Sequence, residues 1–224
     1  MTQHRPHTAS RQHDYIPAFG KDALLPFYDL LTMTLRMGRN YDALVAQADV
    51  VDGLRVLEIG CGTGSVTTRI KRAAPGADVV GTDPDPLALA RSQRKARRLS
   101  GIRFERAYAQ QLPFADGEFD RVLSSMMLHH LDDDTKAAAA AESFRVLRAG
   151  GSVHVLDVGG AMTAGDGFAA RRMLRSQHLA GSLGDAIPRL LRSVGFDASV
   201  VASRPHPFVG RLTFYRGVRP IQGT

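Results

Sequence analysis

The sequence predicts an α/β domain: a mostly parallel sheet of seven strands with helices on both faces, an antiparallel last strand and a helical addition at the N-terminus. Three observations predict it. Short apolar runs alternate with stretches of helical composition from Leu54 to Val158. The first run, Leu54 to Gly60, passes straight into a turn with glycines at 60, 62 and 64. Two more apolar stretches, Phe196 to Ala202 and Leu212 to Val218, close the chain as a pair that suits one sheet edge. A strand that reaches its neighbour through a helix must cross over, and crossovers give parallel pairing.

Along the chain, residues 1–14 mix His, Arg, Gln, Ser and Thr without apolar period and read as a disordered tail. Residues 15–224 read as one domain, of which 15–52 carry N-terminal helices. Leu24, Phe27, Tyr28, Leu31 and Leu35 recur at three and four, and Tyr41, Leu44, Val45 and Ala48 mark a second helix after Gly38. Residues 53–158 form the core alternation. Helix from Ser65 to Ala74, ended by Pro75 and Gly76, leads to a strand at Asp78 to Asp83. Pro86 to Leu99 is helix, Ile102 to Ala107 strand, Asp120 to Ser124 strand, Thr135 to Leu147 helix and Gly151 to Val158 strand. Residues 159–195 form a segment suited to cover a substrate, with helices expected near Ala169 to Leu179 and at Ile187 to Val194; the final strands lie within 196–218.

At 224 residues and 44% hydrophobic, the chain can bury one large core. A net charge of +7 invites a nucleic-acid or anionic-surface reading, but only 7% of residues are aromatic and Trp is absent, so base-stacking platforms are thinly supplied. Four of the 29 basic residues are Lys, so the basicity is an Arg bias spread along the chain. One Cys excludes an intramolecular disulfide and a cysteine-based zinc site. With no run of eighteen apolar residues and no apolar N-terminal stretch, a soluble, cytoplasmic protein without a membrane span is expected.

Chemistry concentrates in VLEIGCGTG, Val56 to Gly64. A buried strand, a glycine turn and a following helix let backbone approach a ligand and aim helix N–H groups at it. The dinucleotide spacing GxGxxG fails at Ser65, and an acid, Glu58, stands near the strand end. Glycines in GxGxG with that acid fit S-adenosylmethionine better than a pyrophosphate, because its methionine part carries an ammonium. Asp83, at the end of the second strand, is placed to accept from ribose hydroxyls of either cofactor. Pro84 and Asp85 form the turn before the next helix, where Asp85 also suits a helix N-terminus.

Four ordered motifs carry a family resemblance: VLEIGCGTG, VVGTDPD, AQQLPFADGEFDRVLSSMMLHHL and VLRAGGSVHVLDV. Over residues 23–219 the chain resembles the class I S-adenosylmethionine-dependent methyltransferases with their Rossmann-like sheet, in the branch of the ubiquinone and menaquinone biosynthesis enzymes. The resemblance implies a cofactor site made by Glu58, Gly60, Cys61, Gly62, Gly64, Asp83, Pro84, Ala109, Gln110 and Ser125. In it Glu58, Gly60 and Gly62 line the methionine end, Asp83 takes the ribose, Ala109 and Gln110 meet adenine, and the Ser125 carbonyl takes the amine. One position departs: Tyr108 stands where the family usually has an Asp that accepts from the adenine amino group.

Other residues admit a chemical and a packing reading. Cys61 is most simply a small buried residue of the turn. His129 and His130 suit a base, or packing beside the cofactor and against the next helix; His154, inside a strand, suits a hydrogen-bonded core position. Asp157 faces the edge where such sheets bind ligands, so a substrate contact is one option for it. The basic run Arg91, Arg94, Lys95, Arg97 and Arg98 suits a solvated helix face, and Arg171, Arg172 and Arg175 either meet an acidic substrate or face water. Methionines 33, 37, 126, 127, 162 and 173 suit an apolar pocket or core filling, and Tyr28 suits a lid or packing.

The expected function is methyl transfer from S-adenosylmethionine to a small apolar or aromatic acceptor, catalysed mainly by holding the acceptor in line. No catalytic residue is assigned, no metal is expected, and the acceptor and the oligomeric state stay open. Two alternatives stand beside it. One is an RNA or other nucleic-acid methyltransferase, against which SSMMLHH replaces the Asn/Asp-Pro-Pro-aromatic motif of amino-group methylases and no second Cys supplies a cytosine nucleophile. The other is a non-catalytic cofactor-binding protein, favoured only by Tyr108.

Overall fold

β1 (Arg55–Ile59) is buried at four of its five positions, so it must lie mid-sheet with cover on both faces. The computed structural model, which describes residues 37–175 and 181–221, places it there. The other strands are β2 (Asp78–Asp83), β3 (Ile102–Arg106), β4 (Phe119–Ser125), β5 (Leu147–Val158), β6 (Asp197–His206) and β7 (Gly210–Val218). Their order across the sheet is β3-β2-β1-β4-β5-β7-β6. Pairings from β3 through β5 are parallel, and β7 runs antiparallel to both β5 and β6.

The expected seven-stranded, mostly parallel sheet with an antiparallel last strand is therefore the one observed. Its strand order reverses between β1 and β4, both neighbours of each other yet wound outward in opposite directions. In open α/β sheets the crevice outside the carboxyl ends at such a point is where ligands bind.

Helices α1 (Gly38–Ala48), α2 (Thr67–Ala73), α3 (Pro86–Ala96), α4 (Asp133–Val146), α5 (Phe168–Met173) and α6 (Ala186–Ser193) cover the sheet. On one face Tyr41, Leu44, Val66 and Ile70 pack against Val56, Val79, Leu123 and Leu156. On the other, Ala140, Val146, Ile187 and Leu191 pack against Leu57, Val80, Val122 and Val155. Alternation along the strands thus divides Val56 and Glu58 from Leu57 and Ile59, and Leu156 and Val158 from Val155 and Asp157.

Helix ends follow local chemistry. Asp85 caps α3 by accepting from the Leu87 amide at 2.8 Å, with Pro86 at the first helical position. Asp132 caps α4 through the Thr135 amide at 2.7 Å, and the Arg219 guanidinium takes the carbonyls of Phe144, Arg145 and Leu147 at its far end. With its last carbonyls so held, α4 gives way directly to β5 at Leu147, four residues before the strand start expected from sequence.

Beyond β5 the chain makes an excursion that returns to its own root. Gly160 donates to the Ser182 carbonyl at 2.9 Å and accepts from Gly184 at 2.8 Å. A side chain at Gly159 would lie 2.1 Å from the Ser182 carbonyl oxygen, so only glycine permits this closure. Of the helix expected near Ala169 to Leu179, Phe168–Met173 is observed. The tail, the helix expected from Leu24, Tyr28 and Met33 lie outside the described residues.

Candidate functional site

The carboxyl ends of β1 and β4 carry the candidate site. After Ile59, Gly60, Gly62 and Gly64 adopt φ of 71°, 52° and 74°, the left-handed region that L side chains rarely enter. The three glycines do different work. A methyl at Gly60 would lie 2.6 Å from Met127 Cγ, and one at Gly64 3.1 Å from Ser92 Cβ, so these two admit close packing of neighbours. A methyl at Gly62 would meet nothing within 4 Å among the described residues, so that side of the turn is open there.

The turn is tied to the strand beside it and the helix that follows that strand. Cys61 donates its amide to Thr82 at 2.8 Å and Gly62 to the Asp83 carboxylate at 2.8 Å. Ser92 on α3 donates to the Gly62 carbonyl at 2.7 Å, and Lys95 on the same helix reaches Thr63 Oγ1 at 3.2 Å and Ser65 Oγ at 3.1 Å. Cys61 is buried, its sulfur near the space a Gly81 side chain would need, which matches the packing reading.

Two acids sit in this cradle. Glu58 is 1% exposed, beneath the turn, where Thr67 Oγ1 donates to it. Burial pushes its pKa up to about 8, against the Thr67 hydrogen bonds and the Lys95 charge, which lower it. Asp83 is pushed up to about 6, again by burial, although the amides of Asp85 and Gly62 favour its charged form. A pyrophosphate would add like charge to this pair, whereas a ligand with an ammonium and hydroxyl donors would relieve it. The residues present therefore fit the S-adenosylmethionine expected from the motif.

The remaining predicted positions share this edge. Pro84 follows Asp83, and its carbonyl accepts from Arg106 at 3.0 Å. Ala109 and Gln110 lie in the turn after β3 closed by a Gln111 to Tyr108 hydrogen bond at 3.0 Å; Ala109 is half-buried and Gln110 exposed. Ser125 ends β4 opposite Leu156 of β5. Met126 then takes φ 56°, which is strained for a side-chain residue, while its amide donates to the Leu156 carbonyl at 2.8 Å. That bend sets Met127 against Gly60.

Past it a short turn, Leu128–His130, brings His129 to Asp157 at the end of β5. The His129 ring nitrogen Nδ1 pairs with Asp157 Oδ1, the His129 amide donates to Oδ2 at 3.1 Å, and the Val158 amide donates to Oδ1 at 2.7 Å. Asp157 is 0% exposed, so the substrate contact entertained for it gives way to a partnership with His129. Burial disfavours its charge, yet the His129 cation and hydrogen bond hold the carboxyl below its usual range. Burial likewise disfavours the His129 cation, and Asp157 more than reverses this, leaving its pKa raised.

His154 contrasts with it. Gln47 Nε2 lies 3.1 Å from its Nδ1 and Ser152 Oγ 2.9 Å from its Nε2, and burial with the charges of Arg121 and Arg216 depresses its pKa to about 3. It is the neutral core histidine the sequence suggested.

Sequence reasoning missed Thr67, Ser92, Lys95 and Met127 as supports of the turn. Lys95 was read with a solvated face; Arg94, Arg97 and Arg98 do face water, but helical spacing from Ser92 was the signal that Lys95 shares its inward side. Arg171, Arg172 and Arg175 are exposed. Met37 and Met162 fill core, and Met126 and Met173 pack partly buried against it. Among the described residues no three His, Cys, Asp or Glu side chains group to hold a metal, and no helix is long and apolar enough to cross a membrane. A groove of about 520 Å³ between α1 and α2, lined by Val45, Asp49, Arg69 and Arg72 among others, shares no residue with this cluster.

Comparison with known proteins agrees with the motifs. Residues 56–151 match the methyltransferase domain family. The demethylmenaquinone methyltransferase of Thermus thermophilus is 38% identical over 143 residues, 60% of this chain and 62% of that protein. The chain spans about three fifths of the length of the demethylmenaquinone methyltransferases it matches. The YcgJ protein from Bacillus subtilis has a similar fold, with TM-score 0.67 at 16% identity, covering 82% of this chain and 99% of that one. So does a Haemonchus contortus phosphoethanolamine N-methyltransferase solved with S-adenosylhomocysteine, with TM-score 0.67 at 16% identity over 82% of this chain and 53% of that one. The resemblance read from the four motifs is borne out.

Proposed function

We propose that this chain, whose residues 56–151 match the methyltransferase domain family, transfers a methyl group from S-adenosylmethionine to a small apolar or aromatic acceptor. The observation that carries this reading is the pair of buried acids, Glu58 and Asp83, raised to about 8 and about 6 around a glycine turn whose Gly62 faces open space. The bound cofactor supplies a methyl group already activated on a sulfonium. Glu58 would answer the ammonium at the methionine end, Asp83 the ribose hydroxyls, and the backbone at Ser125 the amine.

The protein's share of catalysis is then orientation: an acceptor atom held in line at about 3–3.5 Å and shielded from water. The relatives named demethylmenaquinone methyltransferase favour an aromatic acceptor. The +7 charge gives little support to a nucleic-acid acceptor, because it comes from arginines spread along the chain, several of them held in ion pairs within the fold. Arg55 pairs with Asp78 and Glu118, Arg145 with Asp116 and Glu142, and Arg211 with Asp166.

Calorimetry with S-adenosylhomocysteine tests the reading. Saturable one-to-one binding that weakens in Gly62→Ala and Asp83→Ala is expected; absence of binding by the wild-type protein would overturn it.

A further inference from the structure

Beyond methyl transfer, and independent of it, we propose that the face formed by α5 and the turn between β6 and β7 docks on an anionic lipid surface. Phe168 and Phe208 enter the headgroup layer, and Arg171, Arg172, Arg175 and Arg204 meet lipid phosphates. Both rings stand in water. Phe168 is 82% exposed and Phe208 55%, and no other Phe or Tyr among the described residues is exposed. Rings so placed contribute nothing to the core, and each would shed apolar surface on entering the boundary between headgroups and acyl chains.

The two rings belong to neighbouring elements at one end of the sheet. β6 ends at His206 opposite Gly210, and β7 then passes Leu212 beside Val158, the last residue of β5. The turn that holds Phe208 therefore lies beyond the carboxyl edge. A methyl at Gly210 would lie 2.9 Å from Ala170 Cα, so α5 is packed against the root of that turn. One side of α5 faces inward: Ala170 is fully buried, and Met173 and Leu174 pack against the core. Arg171 and Arg172, three and four positions after Phe168, share its outward side, and Arg175 stands exposed in the turn that follows. Arg204 on β6 adds a fourth exposed guanidinium, 4.9 Å over the Phe214 ring.

Acids of the same region do not cancel this charge. Residues 159–218 hold eight Arg and three Asp, with no Lys or Glu. Asp166 is taken by Arg211 through two contacts at 3.0 and 2.6 Å, and Asp185 by Arg189 at 3.1 Å. Asp197 begins β6 at the opposite end of the sheet. Among the described residues no carboxylate forms an ion pair with Arg171, Arg172, Arg175 or Arg204. Exposed aromatic rings flanked by unpaired guanidinium groups are complementary to a layer that offers phosphates outside and hydrocarbon beneath. A nucleic acid offers phosphates too, but two rings on separate elements make no continuous platform for stacked bases.

The test is sedimentation of the full chain with vesicles, run without cofactor or acceptor so that the methyl-transfer reading stands or falls separately. Vesicles of phosphatidylcholine with about 30% phosphatidylglycerol should carry the protein down, phosphatidylcholine alone should not, and salt should weaken the binding. Joint replacement Arg171→Gln and Arg172→Gln should weaken it about 25-fold, at roughly fivefold for each cationic side chain near an anionic surface. Phe168→Ser and Phe208→Ser should each weaken it about tenfold. Because the chain has no Trp, Phe168→Trp and Phe208→Trp each install a single reporter, whose emission should shift to the blue on anionic vesicles and be quenched by brominated acyl chains. Val51→Trp, at an exposed position before β1 at the opposite end of the sheet, should report no change. Thermal melts check that each variant is folded.

Four results would each overturn the proposal. They are no binding of wild-type protein to anionic vesicles at low salt, binding unchanged in the folded Arg or Phe variants, and silent reporters at 168 and 208 while the protein sediments. The fourth is a single-stranded RNA that binds more tightly than the vesicles and is lost in the same Arg variant, which would assign the face to nucleic acid.

Discussion

The Gly62 amide donates to the Asp83 carboxylate at 2.8 Å, which ties the turn after β1 to the end of β2 across the crevice where ligands bind in such sheets. One carboxylate therefore both shapes the glycine cradle and waits for ribose hydroxyls. Asp83→Ala should weaken S-adenosylhomocysteine about 10- to 100-fold, the effect of losing hydrogen bonds to a charged acceptor worth about 1.5–3 kcal/mol. Calorimetry checks this, and a change below twofold would show that Asp83 only shapes the turn.

Gly60 and Gly62 should respond differently to the same substitution. Both have positive φ, so alanine strains either by about 1 kcal/mol. Gly60→Ala also drives its methyl into Met127 at 2.6 Å and should cost more stability, part of it recovered by adding Met127→Ala. Gly62→Ala meets nothing within 4 Å among the described residues, so the protein should stay folded while its methyl takes ligand space. Denaturant melts and calorimetry on both variants separate the effects: equal ligand affinity in Gly62→Ala and wild type would place the cofactor elsewhere.

The strands and most helices were legible because burial imposes simple patterns. β1 and β2 read as apolar runs, the Asp85 cap and Pro86 announced α3, and the glycines announced the turn. What stayed hidden depends on contacts between distant residues. No local pattern says that Asp157 will meet His129, 28 positions away, because that pairing needs β4 and β5 to be neighbours and Met126 to adopt a left-handed bend. Helical spacing from Ser92 puts Lys95 on the inward side of α3, but its partners were hidden: its bonds to Thr63 and Ser65 bridge 32 and 30 positions, and only the docking of α3 over the turn creates them. Asp83 and Glu58 were found as acids near a turn, but their raised pKa values arise from burial, which a sequence does not display.

His154 should make the protein sensitive to acid. Its native pKa is depressed to about 3 by burial and by Arg121 and Arg216, against 6.5 for the ordinary group. Below pH 6.5 the unfolded chain takes up a proton that the native protein refuses, so stability falls as pH drops from 6.5 toward 3. His154→Gln, which keeps a hydrogen-bonding group for Gln47 or Ser152, should flatten that fall. Thermal melts across pH 4–7 decide it, and equal slopes for variant and wild type would show that the acids lowered in the native state, Asp157 and Glu142 among them, carry the acid sensitivity instead.

Glu58 works in the opposite direction. Burial raises its native pKa from 4.5 to about 8, so the folded protein holds a proton that the unfolded chain gives up. Its favourable contribution is complete below pH 4.5 and is lost as pH rises through about 8. Asp83, raised from 3.8 to about 6, acts in the same sense, but its share is spent by about pH 6; above that Glu58 declines together with His129, whose pKa Asp157 raises from 6.5. Glu58→Gln keeps the shape and an acceptor for Thr67, and should make the decline toward pH 8 shallower, leaving the part that His129 carries. The same proton reports on the ligand. An ammonium brought to the turn favours ionised Glu58, so at pH 7 S-adenosylhomocysteine binding should release a proton and its enthalpy should vary with the ionisation enthalpy of the buffer. Glu58→Gln should bind more weakly and lose the buffer dependence. Wild-type binding with the same enthalpy in phosphate and in Tris would mean that the ammonium never meets this carboxyl, and the methionine end would have to lie elsewhere along the crevice.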